Sequence, residues 1–149
     1  RKNRFSDDLT TATYQENKQP IITVSTPNKL TDELSFIIAI QQWLKSRKPQ
    51  DTATTIHVLD EKRVREHHYQ VINTEWLDTR LGWIETLVIE RVRNNSDKKT
   101  RIWLAPDWDY LVIKMQHIDE DEGQQTIVLN HGKLGQKDIV GSKEPPTQP

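Results

Sequence analysis

Hydrophobic and polar positions alternate with a period of two through most of the chain after residue 53, and this alternation predicts β-strands. Polar or glycine-containing turn segments separate the strands, and no helical pattern lies between them. This order is typical of an antiparallel meander. The predicted strands cover residues 54–59, 64–74, 83–93, 100–105, 110–118 and 125–130.

One earlier segment has the period of a helix instead. Thr31 or Asp32 is the predicted N-cap, and Pro49 is expected to end the helix. Because the apolar stripe is broad, we expect burial on more than one side and packing against the sheet. The stripe comprises Leu34, Phe36, Ile37, Ile38, Ile40, Gln41, Trp43 and Leu44.

The N-terminal third adds two short β-branched segments, residues 10–14 and 21–24, which predict further strands. The expected fold is therefore mainly β (α+β): a curved antiparallel β-meander or partial barrel of about seven to nine strands, with one helix packed on it. Residues 1–140 are expected to form a single domain. Residues 141–149 are expected to be a disordered tail, since three of the last five residues are prolines.

Composition narrows the classes of protein that remain. A chain of 149 residues fits one domain, and its net charge of −1 gives no field for nucleic acid or an anionic membrane. Mean hydropathy is −0.80, and the longest apolar run, residues 36–40, is too short to span a bilayer. The absence of cysteine excludes disulfides, thiolate nucleophiles and cysteine zinc sites.

Catalytic and metal-binding patterns are absent from the sequence. It has no G-x-S-x-G elbow, no phosphate-binding glycine loop and no helical histidine pair. His67 and His68 point to opposite faces of a strand, although His57, His117 and His131 would meet if their strands were neighbours. The acidic run 119–122 does not fit a calcium loop. We therefore expect no catalytic residue, no metal and no cofactor.

The stretch RIWLAPDWDYLVIKM, residues 101–115, predicts a hairpin with a turn at Pro106 and Asp107. Both of its strands are apolar on both faces near the turn, which suits a sheet covered on both sides or a sheet that holds an apolar ligand. The packed core is the simpler interpretation, with Trp108 near the tip as the residue most free to touch something else. The candidate ligand-binding residues are Trp103, Trp108, Trp83, Trp76, Trp43 and Met115.

The order of these features resembles the bacterial exported proteins grouped as domain of unknown function 3108. The resemblance rests on residues 75–82 (EWLDTRLG), the strand ending in residues 91–93 (RVR), and residues 100–106 (TRIWLAP), and it covers about residues 32 to 129. It implies an exported, periplasmic protein with a curved antiparallel sheet, and this chain would match the C-terminal part of the family domain. Strands missing before the helix would leave a bare sheet edge. The resemblance implies no activity.

Three functions remain open from the sequence. The first is a non-catalytic cell-envelope protein that binds an apolar small molecule, a lipid or a lipidated partner on its curved sheet. The second is a structural or interaction module that docks a protein partner, or a second copy of itself, through a sheet edge. The third is a hydrolase, which needs at least three histidines or acids to converge in one cleft.

Overall fold

The computed structural model describes residues 2–8, 11–15, 22–25, 30–32, 35–60, 63–94 and 96–147. The chain forms two compact units. The first comprises Arg1–Ser46 and Thr54–His68, and the second comprises Arg47–Ala53 and Tyr69–Pro149.

Twelve strands, one α-helix (α1) and one short 3-10 helix make up the described chain. In order they are β1 (Lys2–Phe5), β2 (Thr11–Gln15), β3 (Ile22–Ser25), β4 (Leu30–Asp32), α1 (Phe36–Ser46), β5 (Ala53–Asp60), β6 (Arg63–Thr79), β7 (Gly82–Val92), β8 (Lys99–Ala105), the 3-10 helix (Pro106–Trp108), β9 (Leu111–Asp119), β10 (Gly123–Val128), β11 (Lys133–Leu134) and β12 (Lys137–Asp138).

The predicted antiparallel meander is confirmed. Strands β5 to β10 follow one another in the hydrogen-bonded order β10-β9-β8-β7-β6-β5-β4, and the outer strand β4 runs parallel to β5. Strand β6 belongs to both units, since its residues up to His68 lie in the first and those from Tyr69 in the second. Among the described strands no pairing joins β10 to β4, so the sheet is not closed into a barrel.

The first unit also contains a separate three-stranded sheet, β1-β2-β3. Its strands β2 and β3 agree with the two predicted N-terminal strands, although Thr10 and Ile21 lie outside the described residues. Strand β1, KNRF, was not predicted, because it has neither alternation nor β-branched residues.

The predicted start of the helix is wrong. Thr31 and Asp32 lie in β4, where they pair with Val58 and Leu59 of β5. The helix begins at Phe36, and the backbone carbonyl of Ser35 accepts the amide of Ile38 at 3.0 Å. The pairing of Thr31 and Asp32 with β5 involves residues distant in sequence, so a local capping rule could not anticipate it.

The helix is covered to different degrees along its apolar stripe. Ile40 and Leu44 are its buried residues, whereas the Ile38 side chain is 55% exposed. Phe36, Ile37 and Trp43 are half-buried, so burial on more than one side stays a prediction.

The second unit is built around β7 and β8, whose central residues are buried on both faces. On one face a cluster of apolar side chains joins β6, β7, β8 and β9 to the C-terminal segment. Its buried members are Leu77, Ile84, Val88, Trp103, Ala105, Ile113 and Ile139. Burial of these apolar side chains stabilises this unit.

The C-terminal segment is attached to β7. Trp83 and Ser142 exchange two backbone hydrogen bonds, of 2.7 and 2.8 Å, and the amide of Gly141 donates to the carbonyl of Leu81. Two glycines allow this close approach, because a Cβ on Gly82 or Gly141 would come within 3 Å of the opposing backbone. Hydrogen bonding to the sheet thus includes Gly141 and Ser142, which lie in the segment 141–149 that the sequence predicted to be a disordered tail.

Candidate functional site

Trp103, the first candidate ligand-binding residue, is part of the core. Its side chain is 4% exposed, and its indole nitrogen donates a hydrogen bond of 2.8 Å to Oε2 of Glu75 on β6. The Lys114 ammonium lies 4.4 Å from the centre of the indole ring. The polar atom of the side chain is satisfied and its ring is covered, so Trp103 offers no free surface to a ligand.

The other candidates are distributed over several elements. Trp108 is half-buried and packs against the apolar cluster of the second unit, so it is less free than its position near a hairpin tip suggested. Trp83 is half-buried beside the C-terminal segment, and Trp76 on β6 is 39% exposed. Trp43 lies on α1 in the first unit. The four tryptophans lie on four different elements, namely the 3-10 helix, β7, β6 and α1.

Met115, another of the predicted site residues, lines a cavity. The cavity is an open depression of about 280 Å³ between β9, β10 and the residues that follow β10. Its walls are mostly apolar, with Met115 and Ile113 from β9, Ile127 and Val128 from β10, and His131 at one side.

Strand β10 borders this depression and is the last strand of its sheet. It pairs with β9, with Ile127 opposite Met115, and the amide of Leu129 donates to the carbonyl of Ile113. In an antiparallel ladder every second residue directs both its N–H and its C=O to the same neighbour. The backbone of Leu129 hydrogen-bonds to β9, so the backbone groups of Ile127 and Gln125, two and four residues earlier, point to β9 as well. The backbone groups of the alternate residues, Gln124, Thr126 and Val128, consequently point away from the sheet.

No other described strand pairs with this outer side of β10, and all six residues of the strand are exposed. Among the side chains whose exposure the structure describes, Ile127 is the most exposed large apolar one, at 71%. The strand, GQQTIV, carries no charge and no proline. Soluble proteins usually protect a sheet edge with charges, prolines or bulges, so this edge lacks the ordinary protection against pairing.

An acidic turn precedes β10. Residues 120–122 carry three exposed carboxylates, while the preceding Asp119 is buried and pairs with Lys98 at 3.1 Å. The backbone amide of Asp121 and then the Lys98 ammonium hold the pKa of Asp119 below its usual range. The hairpin between β9 and β10 is thereby fixed at its tip, and it presents negative charge at one end of the open edge.

The histidines do not form a metal centre. His57 and His68 each approach the carboxylate of Glu66, at 3.5 and 3.8 Å, and the ring of His68 also contacts the hydroxyl of Thr55. His117 contacts the hydroxyl of Thr100 on β8. Within the described part of the chain no group of three histidines or acids is arranged to hold a metal ion.

Sequence reasoning placed strand β10 but missed its importance. A bare edge was expected at the N-terminal side of the sheet, whereas the exposed edge described above lies at its C-terminal end. A signal was present in the sequence, because β10 is the one strand of the meander without a charged residue. The strand order was needed to interpret it.

The fold and the open edge define a mainly β protein with a meander sheet that is not closed. The chain belongs to the family described as Protein of unknown function (DUF3108), whose model matches residues 2–130. The match begins at residue 2, whereas the resemblance noted in the sequence starts at about residue 32. The expectation that the chain corresponds to the C-terminal part of the family domain stays a prediction. No curated protein and no solved structure matches the chain. No helix in the described residues is long and apolar enough to cross a bilayer.

Proposed function

We propose that this protein is a non-catalytic interaction module that docks an extended polypeptide segment onto β10 by strand addition. The observation that carries the proposal is the open edge: Gln124, Thr126 and Val128 direct their backbone donors and acceptors to solvent. An added strand would satisfy these groups without any rearrangement of β9. The main-chain hydrogen bonds would supply affinity, and alternate side chains of the added strand would supply specificity.

The depression beside β10 suits this role. It measures about 280 Å³ and is open to solvent, so it has room for a bulky apolar side chain of a docked segment. Met115 and Ile127 would contact that side chain directly.

Binding of an apolar small molecule, a lipid or a lipidated partner is the second candidate, and the apolar lining of the same depression favours it. Native mass spectrometry of the purified protein, followed by lipid extraction, separates the two functions. A docking module gives a mass made up of polypeptide alone, with no lipid retained. A retained mass of lipid size would favour the carrier function and make Met115 and Ile127 the first positions to substitute.

The proposed place of action is the cell envelope, as the family resemblance implies for an exported protein. Fractionation of the native cells, with immunodetection of the chain, tests this location. Recovery in the cytosolic fraction alone would contradict it.

Site-specific photo-crosslinking in the native cells tests docking at β10. A photoreactive residue at Gln124, on the open edge, should give a crosslinked product of discrete mass. The matched control places the same residue at Asp97, which is exposed on a different turn. Thr126→Pro should abolish the product, since proline removes the outward amide and blocks the edge while the bonds of Gln125 and Ile127 to β9 stay intact.

Equal products from positions 124 and 97 would refute the docking proposal. So would a product at position 124 that survives Thr126→Pro, provided that the variant has the far-ultraviolet circular dichroism of the parent protein.

A further inference from the structure

We propose that the segment docked on β10 is β10 of a second copy of this chain, paired antiparallel about a two-fold axis at Thr126. This inference rests on the proposed function and names its partner. Three properties of the edge support it: its hydrogen-bonding symmetry, its side chains and the charges at its two ends.

The outward hydrogen-bonding groups are self-complementary. They belong to Gln124, Thr126 and Val128, which are spaced evenly about Thr126. When two such strands run antiparallel with Thr126 opposite Thr126, Gln124 of each copy faces Val128 of the other. Every outward amide and carbonyl then has a partner, and Thr126 exchanges two hydrogen bonds with its symmetry mate.

The side chains of β10 accept this register without conflict. The strand has no charged residue, so doubling it brings no like charges together. Threonine faces threonine on one face of the joined sheet. On the other face, Ile127 of one copy lies directly opposite Gln125 of the second copy. It is the diagonal neighbour of Ile127 of the second copy. The most exposed apolar side chain is thereby covered by its own counterpart.

The charges beyond the two ends of β10 are complementary in the same register. The turn 120–122 of one copy, with its three carboxylates, comes beside residues 130–132 of the other. The exposed Lys133 follows that segment and lies 3.9 Å from the exposed Asp138 of its own copy. The two-fold axis repeats this contact at the opposite end. Any parallel arrangement would instead place the two acidic turns together.

The arrangement closes on itself. Each copy uses the outer side of β10 once, and a two-fold pairing leaves no second β10 edge for a third copy. The expected product is a dimer and not a filament.

A single cysteine tests the register, because the natural chain contains none. Residues that form a hydrogen-bonded antiparallel pair have Cα atoms about 5.5 Å apart, which is within the range of about 4.4–6.8 Å that a disulfide needs. Thr126→Cys should therefore oxidise to a covalent dimer. Gln124→Cys is the matched control, since its symmetry mate lies several residues away across the axis and the same oxidation should leave it mainly monomeric.

Sedimentation velocity of the full chain over a range of concentrations measures the association itself. The parent protein should form a reversible dimer, and Thr126→Pro should be monomeric at every concentration, whereas Thr126→Val should keep the dimer. Lys133→Glu should weaken the dimer about two- to fivefold, and Glu120→Lys in the same chain should restore it.

A parent protein that stays monomeric at all concentrations would overturn the second-copy inference. A dimer that survives Thr126→Pro, or one in which Gln124→Cys crosslinks as readily as Thr126→Cys, would overturn it too. If position 124 crosslinks to a different protein in cells and the purified chain is a monomer in solution, the docking function is retained and the inference of a second copy is rejected. The absence of any specific product at that position would reject the docking function itself.

Discussion

Removal of the Glu75 carboxylate should destabilise the second unit through Trp103. The indole N–H of Trp103 belongs to a side chain that is 4% exposed, and its acceptor is Glu75 Oε2 at 2.8 Å. The acceptor Glu75 is exposed, so water reaches the indole N–H in Glu75→Ala, and the cost is the net value of a hydrogen bond to a charged group, about 1.5–3 kcal/mol. At about 2–4 °C per kcal/mol for a chain of this size, we expect the melting temperature to fall by about 4–8 °C for a central loss of about 2 kcal/mol.

The assay is urea unfolding followed by far-ultraviolet circular dichroism, since fluorescence would mix the signals of five tryptophans. Glu75→Gln retains a side-chain oxygen acceptor and should recover most of the lost stability. Asp78→Ala removes an exposed carboxylate from the same strand and should change stability by less than about 0.5 kcal/mol.

A double-mutant cycle isolates the interaction. Trp103→Phe removes the indole donor, so that Glu75→Ala should cost much less in the Phe background, with a coupling energy of about 1–2 kcal/mol. Strict additivity of the two substitutions would refute the reasoning. It would mean that the carboxylate does not support the buried indole, and it would reopen the assignment of Trp103 as a ligand-binding residue.

Three further predictions concern other parts of the molecule. Gly141→Ala places a Cβ 2.5 Å from the carbonyl oxygen of Trp83, so it should cost about 1–3 kcal/mol and accelerate hydrogen exchange at the Trp83 amide. Leu104 is fully buried, so Leu104→Ala should lower the free energy of unfolding by about 2–5 kcal/mol, as measured by urea unfolding. Asp119→Asn should be less stable than the parent at neutral pH. That difference should disappear in acid, because a carboxyl with a lowered pKa stabilises the fold above its unfolded pKa and loses this effect as the pH falls through its folded pKa.

Each of these predictions has a contradicting result. Unchanged exchange at the Trp83 amide in the Gly141 variant would mean that the C-terminal segment does not pair with β7. Gly135→Ala is the comparison variant, because the added Cβ there meets no atom within 4 Å and any loss of stability comes from backbone strain and not from a clash. A cost below about 1 kcal/mol for Leu104→Ala would show that this site is not in a packed core. A stability difference for Asp119→Asn that is constant from neutral to acid pH would remove the ionised carboxylate from the explanation.

Much of the meander could be predicted because side chains alternate across a strand. Strands β7, β8 and β9 agree with the predicted segments to within a residue or two at each end. The pattern failed where tertiary pairing took precedence, as at Thr31 and Asp32, which join β4 although their local sequence resembles a helix cap. The hairpin of β11 and β12 is too short to carry a periodic signal.

The candidate site was only partly accessible to the same reasoning. Met115 was selected as an apolar strand residue and does line a depression. Trp103 was selected as a large aromatic residue, but aromatic character cannot distinguish a ligand wall from a core position. Its acceptor, Glu75, lies on another strand and 28 residues away in the chain, and no local pattern connects the two.

The sequence by itself determined the strands β5 to β10 of the meander, the turns that separate them and the charges that surround them, because these properties depend on near neighbours in the chain. Only the tertiary structure decided which strand is last in the sheet. An edge exists where no neighbour arrives to accept the backbone hydrogen bonds, and that depends on the pairing of the whole chain. The open side of β10, on which the proposed function rests, is therefore a property of the assembled sheet and not of the residues 123–128 alone.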